Sequence, residues 1–159
     1  MKKYLLVILF LFFSSSALFA QQKLLSYDDV KYLLHINLNS ADTFLIAKGY
    51  TLQKKDDKKK TRKYTLATTS GSYVNLTNRT DGRRVFMELE TNEPGQYNLI
   101  YNSIAQYVDA QASAPDMQAF KVKDLGMIYV MVNDVTPYNP LRRLYTIQIA
   151  SEAGITSYD

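Results

Sequence analysis

Residues Arg84 to Thr91 alternate without a break. Val85, Met87 and Leu89 fall on one side of an extended chain, and Arg84, Phe86, Glu88 and Glu90 on the other. A period of two is what a strand with one wet and one dry face requires. Such a strand needs antiparallel neighbours and a layer to cover its apolar side, so it commits the chain to a half-covered sheet. Thr80-Asp81-Gly82 in front of it is a hairpin signal. Tyr73 to Thr77 alternates as well, with Val74 and Leu76 on one face. Further β patterns lie at Tyr64–Thr69, at Phe120 and Val122, at Met127–Val132 and at Leu144–Ile149. Met127–Val132 is apolar on both faces and is expected inside the sheet; Tyr145, Ile147 and Ile149 are expected inward. The count is about six strands, mostly antiparallel.

The covering layer is helical. Ser26 caps a helix with Asp29 three residues on, and Val30, Leu33 and Leu34 supply the i, i+3, i+4 stripe. Asn39-Ser40 is expected to cap a second helix holding Ala41, Phe44 and Leu45, with Gly49 past its end. Together they predict a helical hairpin. After Glu93-Pro94-Gly95, the residues Tyr97, Ile100, Tyr101, Ile104 and Val108 predict one long helix over about 96–110. The residues from about Ser151 onward read as a loose end. The expected fold is α+β, a single domain over residues 21–159.

The N-terminal segment follows a different logic. Met1-Lys2-Lys3 is basic, Tyr4 to Phe13 is apolar, and Ala17-Leu18-Phe19-Ala20 closes on a small residue before Gln21-Gln22. That three-part layout predicts a signal peptide over 1–20, cleaved after Ala20 or, failing that, after Ala17. Export to the periplasm or beyond is the expected location. The chain has no cysteine, which removes disulfides, thiol catalysis and a lipoprotein anchor. The later apolar stretch Leu125–Val132 is too short to span a bilayer.

Beyond residue 20, 17 basic residues face 15 acidic ones, a net charge of +2. Lys54 to Lys63 holds seven basic and two acidic residues. It predicts a basic tip, with Lys58, Lys59, Lys60 and Arg62 as candidates for an anionic surface or simply a solvated turn. Export argues against nucleic acid as its partner.

Chemistry is sparse. The single histidine, His35, ends a helix, where the helix dipole accounts for it. Ser26 and Ser40 read as caps. One histidine without cysteine makes no usual zinc site, and no phosphate-binding glycine motif occurs, so no cofactor is expected. Glu88 and Glu90 stand i, i+2 on one strand face, about 6.6 Å apart along the backbone. That overlaps the carboxylate separations of glycoside hydrolysis; a solvated sheet face explains the same pattern. Two segments share a skeleton: Gly71, Asn78, Thr80, Arg83-Arg84-Val85-Phe86 and Gly126, Asn133, Thr136, Arg142-Arg143-Leu144-Tyr145. They predict a possible two-fold repeat.

The signal end Ala17-Leu18-Phe19-Ala20-Gln21-Gln22 resembles those of exported proteins of Gram-negative bacteria. The helical hairpin closing on Lys48-Gly49-Tyr50, followed by strands, resembles small periplasmic or secreted α+β domains. Used twice, such a unit is similar in fold to β-lactamase-inhibitor-type repeats, although these carry disulfides that this chain cannot make. The resemblance transfers no functional residue. The resulting expectation is a non-enzymatic binding module of the envelope with a protein partner, contacting it through Tyr73, Phe86 and Tyr129. The alternatives are a carbohydrate hydrolase using Glu88 and Glu90, and electrostatic attachment to the envelope through Lys54–Lys63.

Overall fold

The structure, a computed structural model, describes residues 23–68, 71–123, 125–134 and 143–152. The expected signal peptide therefore lies outside the described residues, as does most of the turn expected over 133–140.

Ser26 starts helix α1 (Tyr27–Leu34) as its sequence requires. Its hydroxyl accepts from the Asp29 amide, and the Asp29 carboxylate accepts from the Ser26 amide at 2.8 Å. His35 caps the end, its Nδ1 2.7 Å from the Lys31 carbonyl. Helix α2 (Leu38–Ala47) begins earlier than expected. Asn37, not Asn39-Ser40, is the cap, and its Oδ1 accepts from the Ser40 amide. Several cap-forming residues in a row leave the first one to win once Leu38 joins the helix. Gly49, at φ +92°, turns the chain out of α2 as predicted.

Seven strands follow, all antiparallel: β1 (Thr51–Asp56), β2 (Thr61–Ala67), β3 (Tyr73–Thr80), β4 (Val85–Thr91), β5 (Met117–Val122), β6 (Gly126–Asp134) and β7 (Arg143–Ala150). Their order across the sheet is β1-β2-β3-β4-β7-β6-β5. The expected six lacked β1, whose Lys54, Lys55 and Asp56 fall in the run expected to be a basic tip. It is an edge strand, exposed along most of its length and bulged between Leu52 and Lys54, and these are the devices that keep an edge from pairing with another chain.

Helix α3 (Pro94–Ile104) is shorter than the helix predicted over 96–110. A 3-10 turn over Ala105–Tyr107 ends it, and Val108 bridges to Phe120 on β5. The Asp109 amide then donates to the Ala119 carbonyl at 2.8 Å. Pairing with the edge of β5 has displaced the last turn of helix. Ser151 is a second correction. It is buried, its Oγ accepts from the Val85 amide at 2.9 Å, and its own amide donates to the Val85 carbonyl.

The three helices of the described residues cover one face. Leu33, Leu34, Leu45, Ile100 and Ile104 meet Tyr64, Leu76, Met87, Leu89, Ile128 and Ile147 in the core. A ring ladder joins α3 to the sheet: Tyr97 stacks on Tyr145 at 4.3 Å and on Tyr101 at 4.9 Å, and Tyr101 meets Phe120 edge-on. Gln96, fully buried, clips residue 25 to α3: its Oε1 accepts from the Leu25 amide and its Nε2 donates to the Leu25 carbonyl, both at 2.8 Å. The strand pattern of β4 holds in full, with Val85, Met87 and Leu89 inward. The side-by-side placement of β4 and β7 also brings the hairpins β3–β4 and β6–β7 together about the middle of the sheet.

Candidate functional site

The sheet has a second face with no helix on it among the described residues. Register fixes which residues share it. One row across the strands reads Thr61, Arg79, Phe86, Ala150, Met127 and Lys121. The next reads Lys63, Thr77, Glu88, Gln148, Tyr129 and Ala119. This explains why β6 is apolar on both sides. Ile128 and Val130 are in the core, while Met127, Tyr129 and Met131 stand half-buried on the open face.

A hollow of about 480 Å³ lies on these rows. Phe86, Tyr129 and Ala150 line it, with Met87 and Ile149 showing through the floor. The Arg79 guanidinium lies over the Phe86 ring, 4.8 Å from its centroid. Gln148 Nε2 donates to Glu88 Oε2 at 2.8 Å. A second hollow of about 620 Å³ continues past Tyr129 and Ala150 to Arg84, Lys121 and Glu152. The two share Tyr129 and Ala150, so they form one trough across the sheet.

The sequence-predicted residues divide into three groups. Phe86 and Tyr129 line the same hollow. Tyr73 is on the same face but near the other end of β3, where its hydroxyl bonds the Glu90 carboxylate; burial, and then that carboxylate, push its pKa up. Lys58, Lys59 and Lys60 form the β1–β2 turn beside Thr61, at the trough's end. Lys60 takes φ +45° there. Arg62 is not part of that surface. It points to the helical side, is 3% exposed, and pairs with Asp57 at 2.6 Å and Asp42 at 3.4 Å. Asp42 also accepts from the Tyr64 hydroxyl, and burial with this bond pushes the Tyr64 pKa up.

Glu88 and Glu90 share the open face but are committed to different partners, Gln148 and Tyr73. A smaller hollow of about 260 Å³ touches both, together with Lys63 and Asn75. Among the described residues no group of three or more His, Asp or Glu is placed to hold a metal ion. No helix among them is long and apolar enough to cross a membrane.

Sequence reasoning missed Arg79, Arg84, Lys121 and Gln148. Arg79 carries the signal that finds it: it occupies the outward parity of β3, opposite Phe86. Lys121 and Gln148 needed the β5–β6–β7 register. No protein-family model, no curated protein and no solved structure matches the chain. The function is therefore argued from the site alone.

Proposed function

We propose that this chain is an exported, non-enzymatic binding module of the bacterial envelope whose open sheet face receives a protein partner. The supporting observation is the apolar trough. A seven-stranded sheet, covered by the described helices on one side only, presents a half-buried Phe and Tyr in a hollow of about 480 Å³ on the other. Aromatic residues recessed in a pocket are the usual energetic anchors of protein interfaces. The basic-hydrophobic N-terminal layout supports export.

The hydrolase reading draws less support, because each glutamate already accepts from a neighbouring side chain rather than facing the other across a cleft. Attachment to the envelope through Lys54–Lys63 loses Arg62 to internal ion pairs. The pairing of the β3–β4 and β6–β7 hairpins across β4 and β7 fits a duplicated strand unit, and we keep a two-fold repeat as part of the proposal.

The test is a crosslinking pull-down from the cell envelope with the full chain and with Phe86→Ala and Tyr129→Ala. A stoichiometric protein partner held by the parent and lost by both variants supports the sheet-face reading. Equal capture by all three removes it.

A further inference from the structure

The fold gathers cations that are scattered in sequence. The β1–β2, β3–β4 and β5–β6 turns all emerge at one end of the sheet, as Asp56↔Thr61, Thr80↔Val85 and Val122↔Gly126 require. That end carries the exposed Lys58, Lys59, Arg79, Arg83, Arg84, Lys121 and Lys123. Five of the acids described there are occupied locally. Asp57 pairs with Arg62, and Asp56 accepts from the Lys59 amide. Asp81 accepts from the Arg83 and Arg84 amides, which with the Arg84 charge hold its carboxyl below the usual range. Asp109 accepts from the Gln111 and Ala112 amides, and Glu88 from Gln148. Among the described residues, Glu152 is the remaining acid on the trough. Arg79 and Lys121 make no ion pair among the described residues.

Arg79 and Lys121 also stand on the row that runs under the trough, Lys121 at its β5 end and Arg79 on β3, one strand in from Thr61. From β3 to β5 that row crosses four inter-strand gaps of about 4.8 Å, or about 19 Å in all. An extended segment rising about 3.3 Å per residue covers this in about six residues. Between the two cations lie Phe86, Ala150 and Met127, with Tyr129 on the next row.

Resting on the sheet-face reading above, we infer that the trough takes an extended, acidic segment of a protein partner. Two carboxylates about six residues apart face Arg79 and Lys121, and an apolar side chain between them sits against Phe86 and Tyr129. The recessed floor argues for protein over lipid, because the apolar surface lies in a hollow that a flat headgroup layer does not enter. The apolar lining argues for protein over glycan, because the polar pair nearest the floor, Glu88 and Gln148, is bonded to itself.

The experiment presents the full chain to a displayed library of random twelve-residue peptides at low salt. The parallel baits are Phe86→Ala and the charge reversal Arg79→Glu/Lys121→Glu. Synthetic copies of the selected peptides are then titrated by fluorescence anisotropy. The expected pool is enriched in Asp and Glu flanking an aromatic or Leu. The reversal weakens its binding by at least roughly tenfold, and added salt weakens the parent. A pool without acidic enrichment, or one bound equally by the reversal, overturns the acidic segment while leaving the sheet-face reading standing. A pool insensitive to Phe86→Ala, or no selected peptide at all, overturns both. A chain that ignores the library yet binds phosphatidylglycerol vesicles in an Arg79/Lys121-dependent way makes the surface a membrane contact and also overturns the inference.

Discussion

Gln96→Met removes the clip between residue 25 and helix α3 while keeping the side chain's length. The amide of Gln96 makes two bonds of 2.8 Å to the Leu25 backbone, in a place where both residues are fully buried. Without it the Leu25 N–H and C=O stay in the core with no partner. Each such group costs about 1–3 kcal/mol, or about 2–6 together. The apolar replacement returns about 1 kcal/mol through burial of its added nonpolar surface. The net expectation is a loss of about 3 kcal/mol, which lowers the Tm of a domain of this size by about 10 °C. Thermal and urea unfolding followed by circular dichroism measure it, and amide exchange at Leu25 reports the site directly. Gln96→Glu gives an internal control: as a carboxylate it keeps the acceptor for Leu25 N–H and loses the donor to Leu25 C=O, and only by taking up a proton does it regain one. A Gln96→Met loss below about 1 kcal/mol, with Leu25 still protected, refutes the reasoning, because the two backbone groups must then have other partners.

Gly126→Ala is expected to be severe, by about 3 kcal/mol or more, since φ is +92° and the new Cβ would stand 2.5 Å from the Ala150 carbonyl oxygen; Tm and soluble yield measure it. Asp42→Ala leaves the buried Arg62 guanidinium without its inner partner and costs about 3 kcal/mol in urea unfolding, whereas Asp57→Ala, whose side chain is 71% exposed, costs less than about 1. Burial first, and then Tyr101 and Tyr145, push the Tyr97 hydroxyl from 10.0 up to about 12. Above pH about 10 the unfolded chain ionises this group before the folded one does. Stability is therefore intact below pH 10 and falls as pH rises to about 12; Tyr97→Phe flattens that fall in a pH series of melts.

Much of the fold was legible because it is local. The period of two in β4, the Ser26–Asp29 capping box and the Asp81-Gly82 turn are each written within a few residues, and each stands as expected. What stayed hidden depends on distant partners. Thr51–Asp56 becomes a strand only because Tyr64 and Arg62 offer it an edge. Val108 leaves its helical stripe for Phe120, twelve residues on. Gln96 looks like an ordinary helix residue until Leu25, 71 residues away, supplies its two bonds. The site follows the same division. Phe86 was identifiable from its own strand's parity. Its company with Tyr129, Gln148 and Lys121 depends on the β4–β7–β6–β5 order, which no single stretch of sequence encodes. The lysine run drew notice by its composition, yet the fold turns its Arg62 inward and makes the cationic end from Arg79, Arg84 and Lys121 as well.

The central claim is that the partner meets the helix-free face. The most direct measurement places a photo-crosslinking amino acid at Phe86 and, separately, at Ile46, which is 54% exposed on α2 on the opposite side of the sheet. Irradiated in the cell envelope, the chain labelled at position 86 is predicted to give one discrete protein adduct, and the chain labelled at position 46 none. An adduct from position 46 with nothing from position 86 would put the contact on the helical side, near the Tyr32–Phe44 ring pair, and contradict the account.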